Sequence, residues 1–159
     1  MFELKLKSKN SLVKIISSLR KRGKKVVFTN GCFDILHYGH AKYLEAAKAK
    51  GQILVVGINS DVSVKKIKGK DRPLVSQNYR AKMVAALESV DFVVIFSEPT
   101  PLEMIKALKP DVLVKGGDWK EKDIVGADFV KSRKGRVYSV KFIKGFSTTD
   151  IIKKIGQTS

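Results

Sequence analysis

Thr29-Asn30-Gly31-Cys32-Phe33-Asp34-Ile35-Leu36-His37-Tyr38-Gly39-His40 joins a short apolar run over 25–29 to a segment with helical spacing. The passage reads as a strand, a tight loop and the start of a helix. A helix start exposes unpaired backbone N–H groups and a partial positive charge, so it attracts anions. His37 and His40 flank Gly39 at that start, on one side of the helix, where imidazoles add donors or charge near neutral pH. No third His, Cys or carboxylate stands at a spacing that completes a metal site with them, and a phosphate suits the location better than a metal. Gly31 and Gly39 are too far apart for the dinucleotide glycine pattern, and no Gly-Lys-Ser/Thr follows to make a P-loop.

Outward from this stretch, strands and helices alternate. The spacing predicts a helix over 11–22 capped by Ser11, a strand over 25–29, and a helix reaching 50 with Leu44, Ala46 and Ala47 inward. The run over 52–58 is apolar at nearly every position, as in a strand covered on both faces. Asn59-Ser60-Asp61 caps a helix to 67, and Lys68 to Pro73 form a polar loop. A helix over 76–88 turns Met83, Val84 and Leu87 inward. The third strand is 91–96. Thr100-Pro101-Leu102-Glu103 reads as a capping box with proline at the first helical position. A strand over 111–114, a helix over 123–133, a strand over 136–142 and a helix over 150–155 complete the chain. This order predicts an α/β fold, a Rossmann-like doubly wound sheet of about five parallel strands with helices on both faces. In such folds ligands bind beyond the carboxyl ends of the strands, and the informative residues fall there.

Composition sets the outer limits. With 159 residues and 43% hydrophobic content, the chain reads as one globular domain, a helix extension over 1–23 and a core over 24–155. No apolar run spans a bilayer, no signal peptide opens the chain, and a single cysteine excludes an internal disulfide. The expected location is the cytoplasm. The net charge of +17 raises nucleic acid as a partner. The lysines are spread along the chain and do not interleave with aromatics, which argues against it. A basic surface also draws polyanionic small substrates.

Gly31 to His40, with its His-x-Gly-His, resembles the signature of the cytidylyltransferase-like nucleotidyltransferases, and Ser147-Thr148-Thr149 resembles that superfamily's second signature. Asn30 to His37, Lys68-Gly69 with Arg72-Pro73, Asp111 to Asp118 and Phe146 to Thr149 narrow the resemblance. They are similar to the adenylyltransferases acting on D-glycero-β-D-manno-heptose 1-phosphate in the ADP-heptose pathway for lipopolysaccharide. Many members of that group are fused to a sugar kinase; this chain has no room for one and reads as a stand-alone transferase. Glycerol-phosphate cytidylyltransferases carry an arginine shortly before their Ser-Thr-Thr, where this chain has Phe142.

The resemblance implies AMP transfer from ATP to the sugar 1-phosphate, with Mg²⁺ bridging phosphates and held mainly by them, and it suggests a homodimer. His37 and His40 are the implied catalytic pair. Asn30, Gly31, Cys32, Phe33, Gly39, Lys115, Gly116, Asp118, Ser147, Thr148 and Thr149 are implied in binding nucleotide. Asp34, Lys42, Asn59, Asp61, Lys68, Arg72, Arg80, Gly117 and Trp119 are implied in binding the sugar phosphate. Several have a plainer reading as well. Asp34 fits a loop cap, Lys42 and Arg80 fit exposed helix positions, Lys68 and Arg72 fit surface loop charges, and Asn59, Asp61 and Ser147 fit helix caps. A cytidylyltransferase for a small polyol phosphate such as glycerol 3-phosphate, and a non-catalytic nucleotide- or nucleic-acid-binding protein, are the alternatives.

Overall fold

A computed structural model describes residues 1–157. Five strands, β1 (Val26–Gly31), β2 (Ile53–Asn59), β3 (Phe92–Phe96), β4 (Val112–Gly116) and β5 (Arg136–Val140), form one sheet in the order β3-β2-β1-β4-β5. Every pairing is parallel. Seven α-helices connect or flank them: α1 (Lys9–Lys21), α2 (Tyr38–Lys48), α3 (Asp61–Lys68), α4 (Gln77–Ala85), α5 (Leu102–Leu108), α6 (Ala127–Ser132) and α7 (Thr148–Gln157). The expected doubly wound sheet is the one observed.

Alternation along the strands sends successive residues to opposite faces. Val27, Leu54, Val56, Ile58, Val112 and Val114 pack with Tyr43, Leu44 and Ala47 of α2 and Ala81, Val84 and Ala85 of α4. Val26, Phe28, Val55, Val94 and Leu113 pack with Leu12 and Ile16 of α1, Met104, Ile105 and Leu108 of α5, and Val130 of α6. Helix α1 is thus built into one layer of the core. The segment before it, a 3-10 turn over Phe2–Lys5, leads Leu6 to bridge Val93 at the β3 edge, a contact the sequence pattern does not announce.

Several local expectations are corrected. Helix α1 starts two residues earlier than expected and is capped by Ser8, whose hydroxyl accepts from the Ser11 N–H at 3.3 Å. Met83 is exposed rather than inward, because α4 ends at Ala85 and turns Ala81, Val84 and Ala85 to the core. The capping box at Thr100 does not close: Pro101 occupies the cap position, and Glu103 pairs with Lys106 at 3.3 Å. Helix α6 begins at Ala127, because Gly126 sits in a left-handed conformation that separates it from a 3-10 turn at Glu121–Asp123. Strand β5 stops at Val140, which frees Phe142 from the sheet.

The strand order reverses direction between β1 and β4. Gly31 and Gly116 end these two neighbours, so the crevice above them is the switch point where such sheets bind ligands.

Candidate active site

The loop after β1 turns sharply at Phe33, which adopts a left-handed φ of 48° and buries its ring against Gly31. A Cβ on Gly31 would lie 2.8 Å from that ring, so the glycine lets the loop fold back over the strand end. The chain then enters α2 with His37 as its N-cap residue. The His37 and His40 rings stack at 3.8 Å between centroids, and Phe33 meets His40 edge-on at 5.1 Å. Both Nδ1 atoms are buried and have no hydrogen-bond partner among the described residues. Burial pushes the His37 pKa down. His40 falls from 6.5 to about 4, through burial first and then the charges of His37 and Lys68, against an opposing hydrogen bond to the Ile35 backbone. At neutral pH both rings are therefore neutral, each with one donor nitrogen and one acceptor.

Tyr43, one turn beyond His40, anchors the helix start from below. Its hydroxyl bonds the buried Thr29 hydroxyl and lies 3.4 Å from the Val114 carbonyl, tying α2 to β1 and β4. Burial raises the phenol to about 12, so it stays protonated. The sequence reading overlooked Tyr43, although its position three residues after His40 on the same helix side was the available signal.

Two adjoining cavities of about 190 and 400 Å³ make one cleft. The smaller lies over the β1 and β4 ends, lined by Asn30, Gly31, Cys32, Phe33, Asp34, Tyr43, Lys115 and Gly116. The larger opens between the start of α2 and the start of α7, lined by His37, Gly39, Ser147, Thr148, Thr149 and Asp150. His40, Lys68, Phe142 and Thr148 border both. The two histidines and the amino end of α7 thus face a common space. Ser147 caps α7 by accepting the Asp150 N–H at 3.0 Å and donating to its carboxylate at 2.7 Å. Gly39 permits the approach: a Cβ there would lie 3.1 Å from both the His37 ring and the Phe146 Cβ. Lys115 is partly desolvated, which lowers its pKa, and its ammonium lies 5.6 Å from the centroid of the exposed Trp119 ring. The apolar rim of Phe142, Ile143 and Phe146 was not singled out as binding surface from the sequence, because exposed apolar residues in a loop carry no period.

Other expected site residues stand outside the lining or, like Asp34, line it while already held by protein partners. Arg80 is buried, and its guanidinium donates to the carbonyls of Val75 (2.8 Å), Asn59 (2.8 Å) and Cys32, and to the Asp61 carboxylate at 2.8 Å. Its plainer reading as an exposed helix position does not hold, since its side chain is 0% exposed. Asp61 also accepts from the Gln77 N–H, and Asn59 donates to Ser63 at 3.0 Å. Asp34 borders the cleft but accepts from Arg72 Nε at 2.6 Å and from the N–H groups of Leu74 and Val75, clasping the 68–75 loop. Burial works to raise its pKa; the bonds from Leu74, Val75 and Arg72 outweigh it and leave the carboxyl below its usual value. Lys42 points to solvent and pairs with Glu45 at 2.6 Å. The Gly117 N–H bonds the Val140 carbonyl at 2.9 Å, and the Trp119 indole donates to the Gly116 carbonyl at 3.1 Å. Asp118 is exposed beside them.

Residues 28–154 match the model of a family described as cytidylyltransferase-like. The chain belongs to the cytidylyltransferase-like family. Within it, the chain is 54% identical over 153 residues to "Bifunctional protein HldE" of Geobacter metallireducens, covering 96% of this chain and 31% of that protein. It is 57% identical over 154 residues to the protein of that name from Campylobacter jejuni subsp. doylei, covering 97% of this chain and 32% of the other. The chain therefore spans about a third of the length of these curated relatives. A crystal structure of the lipopolysaccharide core biosynthesis protein from Thermoplasma volcanium superimposes with a TM-score of 0.62 at 29% identity, over 78% of this chain and all of that one.

Proposed function

We propose that the protein transfers the adenylyl group of ATP to D-glycero-β-D-manno-heptose 1-phosphate, giving ADP-heptose and pyrophosphate. The observation that carries this reading is the cleft in which His37, His40, Lys68 and Lys115 face the amino end of α7. That arrangement suits a triphosphate on chemical grounds, with two helix starts and four donors converging on one space. The likeness to bifunctional HldE proteins and to a lipopolysaccharide core biosynthesis protein supports the sugar-phosphate acceptor. Phe142, where glycerol-phosphate cytidylyltransferases carry an arginine, argues in the same direction.

An oxygen of the sugar 1-phosphate attacks the α-phosphorus, a new P–O bond forms, and the bond to the bridging oxygen breaks with its electron pair leaving on pyrophosphate. No protein nucleophile is needed, so catalysis rests on positioning and on stabilising charge. His40 and His37 donate to the α-phosphoryl oxygens. The anion raises the affinity of both rings for a proton, opposite to the effect of burial in the free protein. The backbone N–H groups at the start of α7, with Thr148, hold the terminal phosphates. Asn30 to Phe33 offer backbone to the base, while Lys68 and Lys115 face the phosphates of both substrates.

The family implies Mg²⁺. Among the described residues no three His, Cys, Asp or Glu side chains gather. Of the carboxylates bordering the cleft, Asp34 is held by Arg72 and Asp150 by Ser147. The donors present do not make a protein cage, and the ion belongs with the phosphates of the substrate. No helix among the described residues is long and apolar enough to cross a membrane, and ATP and a sugar phosphate as substrates fit action in the cytoplasm.

The test is pyrophosphate release with ATP or CTP, each paired with heptose 1-phosphate or glycerol 3-phosphate. ATP with the heptose is the expected productive pair. His40→Ala should lower kcat by about 10²–10³ with the fold intact by circular dichroism. Turnover with CTP and glycerol 3-phosphate alone, turnover with no pair, or a His40→Ala variant within a few-fold of the parent would overturn the reading.

A further inference from the structure

The opposite edge of the sheet holds a second basic site. A hollow of about 290 Å³ opens at the amino ends of β1, β4 and β5. Arg20, Lys25, Lys109, Arg133, Lys134 and Arg136 line it, together with one carboxylate, Asp111. That carboxylate is already engaged, accepting the Val26 N–H at 2.8 Å. The ion pairs formed among the described residues use none of these six cations. Strands of five or six residues separate the hollow from the cleft by about 15–20 Å, so a ligand in one does not touch the other.

A plainer account is that these side chains complement helix carboxyl ends, since α1, α5 and α6 all terminate here. Arg20 does so directly, donating to the Leu108 and Lys109 carbonyls at the end of α5. The magnitudes leave a surplus. Each helix end carries about half a negative charge; three of them with Asp111 offset fewer than half of six cations. Five of the six are exposed, so water screens their repulsion, and the hollow they surround keeps a positive potential that concentrates anions. The room equals that of about ten waters at liquid density, more than a single phosphate needs. Arginine forks and lysine ammonium groups arranged around a polar hollow match the oxygens of phosphate groups.

We propose that this hollow binds a small phosphate-bearing polyanion of two or three phosphates, free or as the tail of a nucleotide. Bound there, the anion bridges the starts of β1, β4 and β5 and stabilises the folded state by mass action.

The variant that tests it is Lys109→Asn with Lys134→Asn. Both lysines adopt left-handed backbone conformations, φ 50° and 64°, which asparagine accepts well, so charge is removed without strain. The probe is inorganic tripolyphosphate, titrated into the full chain while backbone amide resonances are followed, with ATP as a second arm. Saturable shifts at Lys25, Gly135 and Arg136 are expected in addition to any at Gly31 to His40. In the double variant the affinity read from these far-edge shifts should fall about tenfold or more, with cleft shifts unchanged. Equal response to tripolyphosphate and ATP assigns the site to the shared phosphates; response to ATP alone makes the nucleotide the ligand. Shifts confined to the cleft, or unchanged affinity in the double variant, overturn the proposal. So does a single-stranded oligonucleotide that binds this edge more tightly with increasing length, since that describes a nucleic-acid surface. His40→Ala should leave the far-edge shifts in place, which separates failure of this site from failure of the catalytic reading.

Discussion

Arg80→Met keeps the aliphatic stem and removes the guanidinium, leaving the buried Asn59 carbonyl and the part-buried carbonyls of Cys32 and Val75 each without this donor. Each unmade bond of a buried acceptor costs about 1 kcal/mol or more. The Asp61 partner adds little, because its side chain is 33% exposed and it keeps the Gln77 N–H. The total is about 3–5 kcal/mol, in the range for breaking a buried charged network. For a chain of this length that corresponds to a fall in Tm of about 10–15 °C. Urea unfolding followed by circular dichroism measures the first quantity, and a thermal scan the second. The same bonds fix the loop after β1 through Cys32 and the end of β2 through Asn59. The pyrophosphate-release assay, run well below the lowered Tm, should therefore show both a higher KM for nucleotide and a lower kcat. A stability loss below about 1 kcal/mol combined with collapse of kcat/KM would refute this account. It would place Arg80 in contact with substrate phosphate, as the family resemblance implies, and not in the role of a buried clamp.

Two further outcomes follow from the site. His40 titrates near 6.5 in the unfolded chain and at about 4 in the folded one, so protonation favours unfolding. Stability is intact above pH 6.5 and declines as pH falls toward 4, by an amount on the order of 3 kcal/mol; His40→Gln should flatten this part of a urea-midpoint profile between pH 7.5 and 4.5, and an equal slope in both proteins would contradict it. Gly116→Ala puts a Cβ 2.7 Å from the Phe142 ring and 3.3 Å from the buried Tyr43 ring; the exposed Phe142 can swing away and Tyr43 must give by a few tenths of an ångström, so stability should fall by about 1 kcal/mol while KM for nucleotide rises several-fold, read from steady-state kinetics at fixed sugar phosphate.

Much of this protein was determined by local pattern. Near-continuous apolar runs alternating with amphipathic segments dictate a parallel sheet covered on both faces, because each buried strand face needs a helix over it. The histidine pair at a helix start, and the Ser-Thr-Thr at another, were visible because helix capping and anion binding are chemistry of adjacent residues. Tertiary structure decided what depends on partners distant in sequence. Arg80 looks like a solvent residue on α4 until the loop after β1, 48 positions earlier, brings it the Cys32 carbonyl. Asp34 becomes a clasp only when the chain returns Arg72, 38 positions later. Lys42, two residues after His40 and so on the other side of the helix, faces away because α2 turns Tyr43 and Leu44 to the core. The left-handed Gly126 delays α6, since a breaker's effect depends on what packs after it. The surplus of positive charge had no address in the sequence; folding gathered six of those cations at one sheet edge, where strand starts and helix ends from four separate segments meet.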